Sequence, residues 1–320
     1  MTERPADGEM NPKSQGSRGT FASAQEDRHH AGLDPETPQT LSPAYKLGYA
    51  DLDFMMRDEL RPARLQLEYL KPEIMQRDRG IASTVVIFGS ARIPDPEKAG
   101  ALLEQAERAV KADPGDLDAA RRAKTARALA DKARFYEEAR KLGQLVSTPY
   151  DENAPSCTVG QNHHRHRVVV VTGGGPGIME AANRGASEVG AETVGLNIVL
   201  PFEQAPNAYV TPHLCFNFHY FALRKMHFMM RAKALVVFPG GFGTLDELFE
   251  VLCLIQTRKI QPIPVLLFGR KYWERIIDFQ ALVEEGVVEP HDLGIFSYVE
   301  SAEEAWELLK PTLNGNSGKK

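Results

Sequence analysis

Residues 238–247 combine a glycine-rich turn with a carboxylate and are the part of the sequence best suited to chemistry. They read FPGGFGTLDE and follow an apolar run. Glycines let the backbone approach a ligand closely, and the free N–H groups at the start of a following helix favour an anion. Glu247 would lie near that helix start, where the helix dipole favours its ionised form. Such a carboxylate could stabilise a developing cation or orient a water molecule.

Glu247 also has a purely structural interpretation. Thr244 and Glu247 have the spacing of a capping box, in which the glutamate only satisfies the backbone at the helix start. A second glycine-rich loop at the same end of the predicted sheet favours the chemical role. Asp246 and Glu250, one helical turn apart, are expected on a solvated or structural face.

The second loop comes earlier in the chain, at residues 171–180, and reads VTGGGPGIME. It also joins an apolar run to a helical stretch, so it could hold a phosphate or could be a tight turn without a ligand. The GxGxxG spacing of a dinucleotide site is absent, and no acidic residue closes the next strand, 193–198. The loop therefore indicates an anion site of another kind.

A basic pair lies between the two loops. Arg224, His227 and Arg231 share one helical face, which by default is a solvated stripe. Arg224 and Lys225 stand just upstream of the strand that leads into the 238–247 loop, so they could present charge to a phosphate. Arg224 is the better candidate, because a guanidinium binds phosphate oxygens in two places.

Alternating strands and helices must position these residues. Short apolar runs predict five strands, at 84–88, 168–171, 193–198, 234–238 and 263–268. Helical stretches separate or follow them at 176–188, 220–231, 243–257, 271–283 and 301–309. This alternation predicts an α/β fold, a doubly wound parallel sheet with helices on both faces. Such sheets bind ligands at the carboxyl ends of their strands.

The composition of the chain predicts how it is divided into tails and domains. We expect a disordered tail at 1–42, a helical extension at 43–80, the α/β domain at 81–310 with a helical insertion at about 95–167, and a flexible tail at 311–320. Ser42-Pro43 predicts a helix start, and a second helix is expected at about 63–77. Within the insertion, residues 116–143 read as one helical stretch without a turn signal.

The charge balance and the rare residue types exclude several function classes. The 320 residues carry 38 basic and 43 acidic side chains, a formal charge of −5, which disfavours nucleic acid as a partner. No apolar run is long enough to span a membrane, and the N-terminus lacks the apolar core of a signal peptide. Three scattered cysteines, Cys157, Cys215 and Cys253, indicate a reducing, cytoplasmic setting. Cys215 and Cys253 fall in apolar stretches and are expected to be buried, inert thiols. Alternating arginines make the histidines at 163, 164 and 166 a solvated segment rather than a metal site.

These motifs together resemble the LOG (LONELY GUY) family, also labelled "possible lysine decarboxylase". Its PGGxGTxxE motif is matched at all six fixed positions from Pro239 to Glu247, and its Arg-Lys pair by Arg224 and Lys225. The sequences GGGPGIME and FGSAR, the latter at 88–92, are also similar to the family's. The resemblance covers about residues 84–309 apart from the insertion.

The resemblance implies a Rossmann-like nucleotide-binding fold that hydrolyses the N-glycosidic bond of nucleoside 5'-monophosphates. The products would be a free base and ribose 5-phosphate, and family members usually dimerise, with sites near the subunit interface. Arg224 and Glu247 would be the catalytic pair, and no cofactor or metal is implied. The residues that would bind the substrate and its phosphate are Gly89, Ser90, Gly174, Gly175, Gly177, Glu180, Lys225, Gly240, Gly241, Gly243 and Thr244.

Departures from the family pattern leave the substrate open. Plant-type members have a shorter chain and a glycine at the position of Glu180, which is here a candidate second carboxylate. AMP-like nucleotides and cytokinin riboside monophosphates are both candidate substrates. Two alternatives without turnover are a carrier of a phosphorylated cofactor, similar to molybdenum-cofactor carriers, and a nucleotide sensor. The presence of both Arg224 and Glu247 favours the enzyme, because a carrier needs no carboxylate at a reacting carbon. A decarboxylase is not supported, since nothing marks a Schiff-base lysine.

Overall fold

Buried apolar strands form the centre of the fold. The computed structural model describes residues 21–148, 168–201 and 205–313. All six residues of the first strand are buried, as expected for a strand covered on both faces. The strands of the described residues are β1 (Ser83–Phe88), β2 (Val168–Thr172), β3 (Thr193–Ile198), β4 (Cys215–Phe218), β5 (Ala232–Val237), β6 (Val265–Phe268) and β7 (Phe296–Val299).

The seven strands make one sheet in the order β4-β3-β2-β1-β5-β6-β7. Every neighbouring pair is parallel, which confirms the predicted doubly wound sheet. The chain moves outward from β1 to β4 and then returns to β5 on the other side of β1. The reversal places a crevice at the carboxyl ends of β1 and β5, where such sheets bind ligands.

Helices cover both faces of the sheet. In chain order, the helices of the described residues are α1 (Ala24–Ala31), α2 (Leu52–Met55), α3 (Arg61–Asp78), α4 (Pro96–Ala112), α5 (Leu117–Ala130), α6 (Arg134–Ser147), α7 (Ile178–Glu188), α8 (Phe221–Met230), α9 (Phe242–Gln256), α10 (Arg270–Ile276), α11 (Phe279–Glu284) and α12 (Ala302–Leu313). Val85 and Ile87 of β1 pack with α6, α7 and α12 in one core cluster. Val86 and Phe88 point the other way and pack with α8, α9, α10 and α11.

The segment between β1 and β2 has one part that packs against the sheet and another part that does not belong to the core. The stretch expected as one helix over 116–143 is two helices, because the chain turns at Asp131 between α5 and α6. Helix α5 packs on α4, whereas α6 buries Phe135, Tyr136 and Leu142 against the sheet and α7. Helix α6 is therefore the crossover helix of the core, and α4 and α5 are the additional part.

Three further local predictions differ from the structure. Strands β4 and β7 were not predicted, because they are short edge strands; in β4 the exposed Asn217 separates two buried phenylalanines. The helix expected at 271–283 is interrupted before Asp278, whose side chain caps α11 through the N–H of Ala281 at 2.9 Å. The helix expected from Ser42-Pro43 is only a single 3₁₀ turn, Pro43–Tyr45.

The chain divides into two compact units, residues 1–64 and 65–320, and the sheet lies in the second. In the first unit, part of the segment expected as a disordered tail forms α1. Ser23 and Glu26 make a capping box there, although none of its residues is buried. Helix α3 covers the stretch expected at 63–77. The remaining domain boundaries stay predictions, and residues 1–20, 149–167 and 314–320 lie outside the described residues.

Candidate active site

The first glycine-rich loop joins β2 to α7. Gly174 and Gly177 have φ angles of +73° and +70°, in the left-handed region that glycine adopts without strain. Gly177 is also the N-cap of α7, so the helix begins without a side-chain cap. A Cβ on Gly174 would lie 2.4 Å from Oδ1 of Asn197. The loop therefore needs glycine both for its backbone conformation and for its close packing.

A buried network of side-chain amides and hydroxyls holds this loop. Asn183 of α7 is fully buried; its Oδ1 accepts from Thr172 Oγ1 at 2.7 Å and its Nδ2 donates to Thr193 Oγ1. Asn207 donates from its side chain to the carbonyls of Gly174 and Gly175, at 3.1 and 2.9 Å. These bonds connect the loop to two strands and a helix. The loop is consequently fixed before any ligand binds.

The second loop joins β5 to α9, and it excludes the capping-box interpretation. Helix α9 begins at Phe242 with Gly241 as its N-cap, and no side chain caps it. Thr244 and Glu247 both lie inside the helix and are 7% and 8% exposed. The first N–H groups of a 15-residue helix are thus left for another acceptor, which makes this end suitable for an anion.

The β1 loop connects the two glycine loops. The N–H of Ser90 donates to the Pro239 carbonyl at 3.0 Å, and the Ser90 carbonyl accepts from the N–H of Ile178 at 3.2 Å. A Cβ on Gly89 would lie 2.5 Å from Ile178 Cγ2. The structure thus brings the carboxyl ends of β2, β1 and β5 together, with Gly89 and Ser90 between the two glycine loops.

Arg224 points from α8 towards the first glycine loop. Its Nε donates to the carbonyl of Leu196 at the end of β3, at 2.7 Å, and its guanidinium lies 5.3 Å from the ring of Phe228. A Cβ on Gly173 would lie 2.6 Å from its Nη2. Burial lowers the pKa of this guanidinium, and the charge of Glu247 acts in the opposite direction. The cation is therefore held in place by contacts other than an ion pair.

Glu247 is the buried carboxylate of the site. Desolvation raises its pKa to about 7, and the positive charges of Arg224 and Lys225 only partly offset that effect. The ion pairs among the described residues do not include Glu247. A carboxyl group with a pKa near neutrality can exchange a proton at physiological pH, which suits acid–base chemistry.

Two predicted site residues point elsewhere. Lys225 pairs with two carboxylates of α9, Asp246 Oδ2 at 2.8 Å and Glu250 Oε2 at 3.2 Å. Glu180 accepts a hydrogen bond from the Tyr136 hydroxyl of α6 at 2.9 Å. Both side chains are thus engaged by other residues of the chain, and their roles at the site stay predictions.

Residues that sequence reasoning missed support the site from behind. Asn207 holds the first loop, and Tyr272 of α10 donates from its hydroxyl to the Gly240 carbonyl of the second loop at 2.5 Å. Glu68 of α3 accepts from the backbone N–H of His219 and from that of Tyr220, the latter at 3.2 Å, and so caps α8. None of these belongs to a local motif, and only the polar character of Asn207 beside a loop could have indicated it.

The remaining candidates give no second site. Among the described residues no group of three or more His, Cys, Asp or Glu could hold a metal, and the histidines at 163, 164 and 166 lie outside that part of the chain. Cys215 is half-buried, with Asn197 Nδ2 3.3 Å from its Sγ, and burial raises its thiol pKa. The expectation that Cys253 is buried is wrong, because its helical face is exposed.

Comparison with known proteins finds sequence similarity over part of the chain. The family model described as "Possible lysine decarboxylase" matches residues 179–309. The chain is 33% identical over 137 residues to the probable cytokinin riboside 5'-monophosphate phosphoribohydrolase LOGL5 of Oryza sativa subsp. japonica. It is 30% identical over 146 residues to the cytokinin riboside 5'-monophosphate phosphoribohydrolase LOG3 of Arabidopsis thaliana. Over these residues the chain is similar to the LOG family.

The similarity to these LOG proteins is partial in length. It covers 41% of this chain and 54% of the rice protein, and 44% of this chain and 65% of the Arabidopsis protein. In both cases the chain spans less than two thirds of the relative. The family model and the LOG relatives thus show a similarity over part of the chain, and the activity of the whole chain is a separate question.

Solved structures with a partial likeness include two molybdenum-cofactor proteins. The carrier protein MCP of Chlamydomonas reinhardtii is 17% identical, with a TM-score of 0.41 over 72% of this chain and 98% of that one. The molybdenum cofactor binding protein of Rippkaea orientalis is 20% identical, with a TM-score of 0.36 over 55% of this chain and 86% of that one. These TM-scores are below 0.5, so they assign no ligand to this chain.

None of the helices of the described residues is both long and apolar enough to cross a bilayer.

Proposed function

We propose that this chain is a member of the LOG family and hydrolyses the N-glycosidic bond of nucleoside 5'-monophosphates to a free base and ribose 5-phosphate. The observation that carries the proposal is the pairing of two features at one sheet edge. One is the pair of glycine loops, which leave backbone N–H groups for a phosphate. The other is a buried carboxyl group, Glu247, whose pKa is near 7. The names of the LOG relatives support the same reaction class.

The phosphate would anchor the substrate. Gly174 to Gly177 and Gly240 to Thr244 would hold it, so that the ribose lies over the crevice between β1 and β5. Binding energy gained at the phosphate, remote from the reacting carbon, can position and distort the sugar. Gly89 and Ser90, between the two loops, would form the floor of this site.

Glu247 would act at the anomeric carbon. The C1'–N bond breaks through a cation-like sugar, as in glycoside hydrolysis, and a carboxylate can stabilise that cation. A water oxygen then bonds to C1' as the C1'–N bond breaks, one water proton passes to Glu247, and the departing base takes a proton from solvent. Glu247 afterwards releases its proton to solvent. Arg224 would align the sugar or the base through the guanidinium that lies against Gly173.

The preferred base is part of the proposal. AMP-like nucleotides and cytokinin riboside monophosphates both carry the 5'-phosphate that the loops suit. We propose AMP-like nucleotides and cytokinin riboside monophosphates as the substrate class, because the relatives named above are named for cytokinin riboside 5'-monophosphates. A cytoplasmic setting is proposed with it, since Cys215 and Cys253 are both free thiols.

The test of the function is product release. Purified chain would be incubated with AMP, GMP, CMP, UMP and isopentenyladenosine monophosphate, and chromatography would follow free base and ribose 5-phosphate. Release from at least one nucleotide that disappears in Glu247→Gln supports the proposal. No release from any of them, with folded protein, contradicts it and favours a carrier or a sensor.

A homodimer is proposed as the working form. The support is a set of exposed apolar side chains on the two helices that carry Arg224 and Glu247: Met226 and Met230 of α8, and Phe242 and Phe249 of α9. Phe242 is 91% exposed, which is unusual for a phenylalanine without a partner. Light scattering of the chain and of Phe249→Asp tests this: a dimer that becomes monomeric supports the proposal, and a monomeric wild type contradicts it.

A further inference from the structure

Two side chains outside the proposed reaction each hold a carbonyl group of one glycine loop. The Tyr272 hydroxyl donates to the Gly240 carbonyl at 2.5 Å. Asn207 donates to the Gly174 carbonyl twice, from its backbone N at 2.8 Å and from its Nδ2 at 3.1 Å. Each carbonyl is therefore fixed by a group that belongs to another part of the chain.

The two anchors lie on opposite outer sides of the site. Asn207 follows β3, which is the neighbour of β2 away from β1. Tyr272 follows β6, which is the neighbour of β5 away from β1. The glycine loops that follow β2 and β5 are thus held from outside, and the end of β1 lies between them.

The planar geometry of the peptide bond then determines the direction in which the N–H groups of Gly175 and Gly241 point. In a planar trans peptide the N–H of the next residue points opposite to the C=O. The Gly174 carbonyl is bound on the β3 side, so the N–H of Gly175 points towards β1. The Gly240 carbonyl is bound on the β6 side, so the N–H of Gly241 also points towards β1. Neither N–H has an acceptor within the described part of the chain.

The first anchor is itself held rigidly. Asn207 Nδ2 also donates to Oδ1 of Asn183 at 3.0 Å, and Asn183 is fully buried. The backbone N–H of Asn207 donates to the Gly174 carbonyl. The neighbouring N–H of Gly174 is bound to Thr172 Oγ1 at 2.9 Å and so is not free for a ligand. Because the N–H of Gly174 is already bound, the N–H of Gly175 is the loop donor that is left to face the crevice.

We propose that Asn207 and Tyr272 are positioning residues that orient the N–H groups of Gly175 and Gly241 towards one phosphate. The inference rests on the proposed function only in taking a phosphorylated ligand as the occupant. Neither side chain contacts the ligand in this scheme. Preorganised donors bind an anion without paying for reorientation, so loss of either anchor weakens phosphate binding specifically.

The experiment separates phosphate binding from the rest of the site. Tyr272→Phe and Asn207→Ala would be made in the full chain, with Tyr298→Phe and Asn217→Ala as matched controls that remove no hydrogen bond among the described residues. Calorimetry would measure Kd for ribose 5-phosphate, and competition would measure Kd for adenosine, which lacks the phosphate. Thermal denaturation would confirm folding, and Tyr272→Phe keeps the test valid if Asn207→Ala is unstable.

The expected result is a Kd for ribose 5-phosphate raised about tenfold by each anchor variant, which corresponds to one hydrogen bond of about 1.4 kcal/mol. The Kd for adenosine and both controls stay unchanged, and KM for AMP rises more than kcat falls. Unchanged ribose 5-phosphate binding in both anchor variants overturns the inference, as does equal weakening of adenosine or a wild type that binds no ribose 5-phosphate. A wild type that binds ribose 5-phosphate in the expected pattern but releases no base contradicts the proposed function alone.

Discussion

The guanidinium of Arg224 packs directly on Gly173 at the end of β2. A Cβ on Gly173 would lie 2.6 Å from Arg224 Nη2 and 2.8 Å from the sulfur of Met179, and both are ends of flexible side chains. The absence of a side chain at position 173 therefore sets how closely Arg224 approaches the first glycine loop. This contact connects the α8 basic residue to the proposed phosphate site.

Gly173→Ala is expected to displace Arg224 without unfolding the protein. Gly173 does not have a positive φ, so its backbone accepts alanine. A misplacement of about 1 Å can cost about 100-fold in rate, and we expect kcat/KM to fall by that order. Steady-state kinetics and thermal denaturation measure the two effects. Gly100→Ala is the control, because its Cβ would meet nothing within 4 Å; equal kinetics for both variants would contradict the prediction.

Glu247→Gln is expected to lower kcat by about 10² to 10⁴, the usual contribution of a general acid or base. The substitution keeps the size of the side chain and removes its charge and its basic oxygen. The rate of base release from AMP measures the change in kcat. Glu250→Gln is the matched control on the same helix, since its carboxylate is engaged by Lys225. A Glu247→Gln variant with nearly unchanged kcat would show that the carboxylate takes no part in the reaction.

The activity is expected to have an acid limb near neutrality. The pKa of Glu247 in the folded chain is about 7, so the carboxylate becomes protonated as the pH falls below that value. The kcat/KM for AMP should therefore decrease tenfold per pH unit well below pH 7. A profile measured between pH 5 and pH 9 tests this, and a plateau that continues down to pH 5 would refute it.

The same carboxyl group is expected to cost stability at high pH. Its pKa rises from 4.5 in a free side chain to about 7 in the folded protein, so the folded state binds the proton more tightly. The contribution of Glu247 to the free energy of unfolding is thus fully present below pH 4.5, and this contribution is lost as the pH rises through 7. Glu247→Gln should increase the free energy of unfolding at pH 8 by about 3 kcal/mol. Denaturant titration at pH 8 and pH 5 tests the sign, because the gain should shrink at pH 5.

Lys225→Ala is expected to affect the pH profile more than substrate binding. The Lys225 ammonium is paired with Asp246 and Glu250, so its loss should change KM for AMP by less than about fivefold. Its positive charge lowers the pKa of Glu247, so the acid limb should move to higher pH. A large rise in KM with an unmoved limb would instead indicate direct contact with the phosphate.

The sequence by itself determined the sheet and the loops that end its strands. Uninterrupted apolar runs such as 84–88 can be buried only between two layers, and their alternation with helices forces parallel pairing. Glycines at 173–177 and 240–243 mark the strand-to-helix turns because few other residues permit them. The prediction that Arg224 and Glu247 form the catalytic pair came from the resemblance of the sequence motifs to those of the LOG family.

Only the tertiary structure decided which side chains face the crevice. The spacing of Thr244 and Glu247 suits a capping box, but packing of α9 on the sheet starts the helix at Phe242 and buries the carboxylate. Lys225 follows Arg224 directly in sequence, yet neighbouring residues on a helix point about 100° apart, and Lys225 meets the acids of α9 instead. Asn207 and Tyr272 act on loops distant in sequence, and such contacts exist only once the strands are ordered around β1.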